Sequence, residues 1–202
     1  MFALYQALPD SIEYRGHLYA LNLSFDRVLA CLDIRSDPQV PDEQRAELIA
    51  RALGLRARNL TLRDKAVIVE AVFREYIWMG AKGESSSNAG AVKAFDFKID
   101  AGLIYAAFRQ AYGIDLLEYQ GRLHWWQFYS LFQGLPKGTK IREVMQIRSC
   151  DIPAPTKYNQ AEIRNLHALK QLYALPGAIS GDSYAQGLVS LWDTLERQAK
   201  KQ

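Results

Sequence analysis

The sequence predicts a mainly α fold: a helical bundle of about seven helices with a short N-terminal β-hairpin. Apolar residues recur along most of the chain at spacings of three and four, which places them on one face of an α-helix. Strand-like segments on both sides of a tight-turn signal occur near the N-terminus, within residues 11–21. Hydrophobic residues make up 49% of the chain and charged residues 23%, a balance typical of a globular protein.

The N-terminal hairpin is predicted from "SIEY" and "HLYAL", which flank Arg15-Gly16. Glycine supplies the positive φ that a two-residue hairpin turn needs. A lone hairpin is marginally stable in water, so we expect it to pack on the helices that follow.

Three helices are predicted before residue 80, over 25–32, 42–53 and 62–78. Ser24 and Thr61 are the expected N-caps of the first and third, because their hydroxyls can accept from free N–H groups of the first turn. Gly54 is expected to close the second helix.

A change of composition over residues 80–94, "GAKGESSSNAGAVKA", predicts a flexible linker or an exposed loop. It suggests a division into a hairpin and three helices over 1–79, the linker over 80–94, an aromatic-rich helical lobe over 95–152 and C-terminal helices over 153–202.

The helices after the linker follow the same pattern. The first keeps helical spacing from Ala101 to Tyr112, with Gly113 as its C′ residue. Thr139 is the expected N-cap of a short helix. The remaining helices are predicted over residues 123–132, 140–148, 160–173 and 183–200.

Charge and cysteine usage argue against several classes of protein. With 25 Lys and Arg against 22 Asp and Glu, the chain has no basic stripe of the kind that binds nucleic acid. No apolar run approaches the ~20 residues of a membrane span. Cys31 and Cys150 are far apart, and the N-terminus does not resemble a secretory signal, so a reducing cytoplasm is expected.

Catalytic and metal-binding patterns are weak, so we predict a protein that is not an enzyme and needs no cofactor or metal. The three histidines are isolated from one another and from the cysteines. Asp96 and Asp100 could hold a divalent cation, but their place at a helix start favours a capping role. "GAKGESSS" lacks the spacing of a phosphate-binding loop.

Contact with a partner is better supported. The helix over 123–132 is apolar nearly all round. It could be buried in the core, form a partner-binding surface, or be buried with one tryptophan facing a partner. The amphipathic C-terminal stripe could dock on its own domain, on a copy of itself or in a partner's groove. The candidate partner-binding residues are Trp125, Trp126, Tyr129, Phe132, Leu188, Leu191, Trp192 and Leu195.

Three segments, taken together, resemble a known family. They are "ALPDSIEYRGHLYALNLSFDRVL", "FDFKIDAGLIYAAFRQAYGIDL" and "LHWWQFYSLFQGLPKGTKIREVMQIRSCDI". The DFxxDxxxIYxAF, YGIDL, LHWWxFxxLFxGLP and IRSxD patterns resemble the hallmarks of the gene-product-fifteen family of tailed phages and prophages of Gram-positive bacteria. The resemblance covers about residues 7–152.

The resemblance implies a tail assembly chaperone that coats the tape-measure protein, and that also meets the tail-tube protein, in the host bacterial cytoplasm. Such a chaperone is expected to be absent from the mature virion. The alternatives are a structural component retained in the tail or neck, and a small enzyme or nucleic-acid-binding regulator. The sequence leaves homo-oligomer formation open.

Overall fold

The computed structural model describes residues 4–56, 59–78 and 94–176, which form a two-stranded hairpin and seven α-helices. The predicted fold class is therefore confirmed. The predicted helix over 183–200, and the predicted linker except Ala94, lie outside the described residues. The elements are β1 (Ser11–Tyr14), β2 (His17–Ala20), α1 (Phe25–Ser36), α2 (Asp42–Ala52), α3 (Leu62–Val72), α4 (Ala101–Tyr112), α5 (Trp125–Gln133), α6 (Lys140–Ser149) and α7 (Gln160–Leu172).

The hairpin has the predicted turn. β1 and β2 pair antiparallel, with Ser11 opposite Ala20. Arg15 and Gly16 have φ of 50° and 76°, the two positive values that a type I′ turn requires. The Tyr14 hydroxyl donates to the Asp64 carboxylate at 2.8 Å, which ties the hairpin to the start of α3.

The helix ends confirm some predicted caps and contradict others. Thr61 caps α3 in a capping box with Asp64, each side chain accepting from the other's backbone N–H. Ser24 and Thr139 stand at the N-cap positions of α1 and α6, as predicted, but the expected cap bonds are absent, because neither hydroxyl accepts from the first turn of its helix. Ser24 lies in a β-bridge with His124, and the Thr139 hydroxyl donates back to the Pro136 carbonyl.

α3 continues into a π-helical segment, Phe73–Ile77. The Trp78 N–H donates to the Phe73 carbonyl at 2.8 Å, five residues back, which is the wider π register. The predicted helix over 62–78 is thus α-helical to Val72 and π-helical beyond it.

The described contacts divide the chain into two compact units. Unit 1 takes residues 1–84 and 115–132, and therefore holds the hairpin, α1–α3 and α5 as far as Phe132. In it α2 lies between α1 and α3. Its interior includes Val28, Leu53 and Val72, none of which is exposed at all.

Unit 2 takes residues 85–114 and 133–202, and its described part holds α4, α6 and α7. α6 packs against both α4 and α7. Phe108 and Ile141 are fully buried there. Each unit thus consists of two separate stretches of chain. The sequence-based division at residues 79 and 95 stays a prediction.

Candidate partner-binding surface at the tryptophan helix

The start of α5 is fixed by a short antiparallel bridge to the chain before α1. The Phe25 N–H donates to the Leu123 carbonyl at 2.9 Å, and the Trp125 N–H donates to the Leu23 carbonyl at 2.7 Å. The bridge holds α5 by its backbone, which sets the direction of both tryptophan side chains.

Both tryptophans hydrogen-bond the end of the π-helical segment. Trp125 Nε1 donates to the Ile77 carbonyl at 3.1 Å, and Trp126 Nε1 donates to the Tyr76 carbonyl at 2.6 Å. Carbonyls in the last turn of a helix lack partners within the helix, and an unpaired one would be costly when buried. The two indoles satisfy these carbonyls and fasten α5 to the end of α3.

The candidate residues on α5 are placed differently from one another. Trp125, Tyr129 and Phe132 are 1%, 8% and 0% exposed, so they lie in the interior. Their neighbour Phe128 stacks on Phe25 with ring centroids 4.8 Å apart. Trp126 is half-buried, unlike these three residues. The remaining candidates, Leu188, Leu191, Trp192 and Leu195, lie outside the described residues.

Trp126 belongs to a surface group of three rings, which we call the aromatic cluster: Tyr76, His124 and Trp126. The Trp126 ring meets Tyr76 edge-on at 6.4 Å and His124 edge-on at 5.8 Å. All three side chains are half-buried. The Tyr76 hydroxyl donates to the Ser11 carbonyl at 3.0 Å, so the cluster also rests on the hairpin.

His124 is held as a neutral imidazole. Its Nδ1 accepts from the Trp126 backbone N–H at 3.1 Å, which leaves Nε2 to donate to the Pro9 carbonyl at 3.0 Å. Burial lowers the pKa of His124, while the Pro9 carbonyl and Asp10 act in the opposite direction. Protonated Nδ1 could not accept the hydrogen bond from the Trp126 backbone N–H. The contacts within the cluster therefore require the neutral form of His124, which predominates at neutral pH.

Unit 2 contains a buried ion pair that the sequence reasoning missed. Arg148 and Asp100 form two parallel bonds, Nη1 to Oδ2 at 2.6 Å and Nη2 to Oδ1 at 2.9 Å. Arg148 also donates to the carbonyls of Ala94 and Tyr173. Asp100 stands at the N-cap position of α4, as predicted, but its carboxylate makes no cap bond to the helix and accepts instead from Arg148 and, at 2.9 Å, from the Asp96 N–H.

Asp96 acts as predicted, since its Oδ1 accepts from the N–H groups of Lys98 and Ile99 in the turn before α4. A signal for the ion pair was present in the sequence. Asp100 ends the DFxxD pattern and Arg148 stands in the IRSxD pattern. Pairing the charged residues of the two patterns could have suggested the contact.

Metal-binding side chains are not grouped into a site in the part of the chain that the structure describes. No three His, Cys, Asp or Glu side chains there could hold a metal ion together. Burial raises the pKa of the Cys31 thiol to about 12, which keeps it protonated and unreactive. None of the helices within the described ranges has both the length and the apolar character needed to cross a membrane.

The fold defines a mainly helical protein that carries the aromatic cluster where α5 meets the end of the π-helical segment. The chain belongs to the Bacteriophage Gp15 protein family, whose model matches residues 4–175. It is therefore a phage protein, and the family resemblance seen in the sequence is confirmed. The match extends past Ile152, where the recognised patterns ended, and includes α7. Neither the curated proteins nor the solved structures contain a significant match.

Proposed function

We propose that this protein is a tail assembly chaperone that binds the tape-measure protein during morphogenesis of a siphophage-type tail. Family membership over residues 4–175 is the observation that carries the proposal, because the family resemblance implies this role. The protein acts by binding alone, without catalysis or a cofactor. It works in the host bacterial cytoplasm and leaves before the virion is complete.

The described surface is suited to such a task. A tape-measure protein is long, helical and apolar, so its chaperone needs apolar and aromatic groups on a firm scaffold. The aromatic cluster offers these groups, and its rings are held by bonds to backbone carbonyls. Tryptophan and tyrosine are favoured at the centres of interfaces because they provide large contact area. Of the candidates on α5, we carry only Trp126 into the proposal, since the other three are interior.

Co-expression with the tape-measure protein tests the proposal. We expect the soluble fraction of the tape-measure protein to rise several-fold and the two proteins to co-purify. Trp126→Ala should weaken the complex, whereas Trp78→Ala, a half-buried tryptophan outside the cluster, should not. Thermal melts of both variants separate loss of contact from loss of fold. The proposal is wrong if the tape-measure protein is equally insoluble with and without this protein and never co-purifies.

Purified virions separate the chaperone from the alternative structural role. Mass spectrometry of mature particles should find this protein absent or far below stoichiometric amounts. Stoichiometric copies would favour a component retained in the tail or neck. The same lysate, fractionated before tail completion, should contain the protein with the tape-measure protein and, in later complexes, with the tail-tube protein.

A further inference from the structure

An exposed carboxylate, that of Asp10, stands beside the aromatic cluster. Asp10 lies between Pro9 and Ser11, whose carbonyls accept from His124 Nε2 and from the Tyr76 hydroxyl, both at 3.0 Å. Two rings of the cluster are therefore bonded to the residues on either side of Asp10. Burial lowers the pKa of His124, and the Asp10 carboxylate acts in the opposite direction, so its charge is felt at the ring.

Glu75 adds a second carboxylate. It directly precedes Tyr76 in the π-helical segment, and its side chain is 47% exposed. Burial raises the pKa of Tyr76, and the Glu75 carboxylate raises it further. Arg74 contacts Glu75 at 2.9 Å, but a pair this exposed contributes little free energy. Glu75 can therefore exchange Arg74 for another cation at small cost.

Aromatic rings and carboxylates together favour a cation. The faces of tryptophan and tyrosine rings attract lysine and arginine, and a nearby carboxylate adds a charge-assisted hydrogen bond. Among the described residues, the charged groups that shift the pKa values of His124 and Tyr76 are both carboxylates. Asp and Glu also outnumber Lys and Arg in the described part of unit 1, although the whole chain has a formal charge of +3. The charge of this unit is thus complementary to a basic partner.

We propose that the aromatic cluster, with Asp10 and Glu75 beside it, binds a lysine or arginine of an amphipathic helix in the partner. The inference rests on the proposed function, which places the partner contact at the cluster, and it specifies the tape-measure segment that binds there. That segment carries a basic side chain among its apolar residues. The apolar stem of lysine or arginine packs on the rings while its charged end reaches a carboxylate. Segments with an acidic residue at this place are repelled, which gives selectivity among apolar helices.

The cluster is largely fixed before a partner arrives. Trp126 Nε1 donates to the Tyr76 carbonyl at 2.6 Å, and the Leu21 N–H donates to the Asp10 carbonyl at 2.6 Å. Both the rings and the backbone that carries the first carboxylate are therefore held by hydrogen bonds. Binding to groups that are already ordered costs less conformational entropy.

Binding of designed peptides to the full-length protein tests this inference. Three labelled amphipathic helices of equal length share one leucine face and carry lysine, glutamine or glutamate at the positions beside it. At low salt, fluorescence anisotropy should give the lysine peptide an affinity about tenfold higher than that of the glutamate peptide, with glutamine between them. Added salt should narrow the difference, because ions screen exposed charges. Equal affinities of the three peptides, or no binding of the lysine peptide, would overturn the proposal.

A double variant locates the preference for lysine at the cluster. Asp10→Asn with Glu75→Gln should remove most of the preference, while both new side chains keep the shape and an acceptor oxygen of the old ones. The matched control, Asp33→Asn with Glu43→Gln, makes the same change in net charge at two exposed acids outside the cluster and should keep the preference. An equal loss in the two double variants would attribute the preference to overall charge and contradict the proposal.

The same variants, co-expressed with the tape-measure protein, separate this inference from the chaperone proposal. Asp10→Asn with Glu75→Gln should lower the amount of co-purified tape-measure protein several-fold. A complex that resists this change but is weakened by Trp126→Ala would contradict the cation contact and support the chaperone role. If wild-type protein forms no complex, the chaperone proposal fails, and the peptide affinities still decide whether the cluster binds a basic helix.

Discussion

At the scale of single residues, Arg148 joins four separate points of unit 2. Its guanidinium reaches Asp100, Ala94 and Tyr173, and its carbonyl accepts from Lys170. The Arg148 and Asp100 side chains are 6% and 4% exposed, so little solvent screens the pair. A buried pair of this kind is not strongly stabilising in itself, but the loss of one partner leaves the other charge buried alone.

Asp100→Ala should therefore lower the free energy of unfolding by about 3–5 kcal/mol. Glu143→Ala is the matched control, since Glu143 pairs with Lys140 in the same unit but both side chains are about half exposed. An exposed pair contributes less than about 1 kcal/mol. Urea unfolding measures the free energy of unfolding of each variant. Similar decreases in both variants would contradict the prediction that the buried pair matters more than the exposed one.

His124 should make the stability of the folded chain depend on pH. Its pKa is lowered in the folded chain, so the unfolded chain takes up the proton first as the pH falls. The neutral ring's contribution to the free energy of unfolding is fully present above pH 6.5, the ordinary pKa of histidine. It decreases as the pH falls below 6.5, and it stops decreasing once the pH is below the pKa of His124 in the folded chain. Urea midpoints between pH 7.5 and pH 5 should fall more in the wild type than in His124→Gln. The same slope in His124→Gln as in the wild type would contradict this dependence.

At the scale of elements, the sequence predicted features that depend on neighbouring residues better than features that depend on distant ones. The turn at Arg15-Gly16, the N-cap Thr61 and the left-handed C′ residue Gly113 are all as predicted, because each depends on neighbours within a few residues. Ser24 occupies the predicted N-cap position without a cap bond, and its neighbours Leu23 and Phe25 pair with the distant residues Trp125 and Leu123. Sequence spacing alone does not report such long-range pairing.

The tryptophan helix shows the same limit. Its spacing predicted a helix apolar nearly all round, but it could not say which indole is interior. Both indoles bond carbonyls about fifty residues earlier, at Tyr76 and Ile77, and in the folded chain Trp125 is buried while Trp126 is half-buried. The π-helical segment that presents those carbonyls has no signature in the residues that form it.

At the scale of the whole molecule, residues 115–132 complete unit 1 from a distant part of the chain. Expressed alone, residues 1–84 lose the ring of Phe128 that covers Phe25, and both indoles that satisfy the end of the π-helical segment. We expect this fragment to bind the dye ANS and to unfold without a cooperative transition. Excess synthetic peptide 115–132 should restore the transition, because it supplies the missing contacts. The sequence-based division instead places a lobe boundary at residue 79 and assigns residues 115–132 to a different lobe. A fragment that unfolds cooperatively and does not respond to the peptide would support that division.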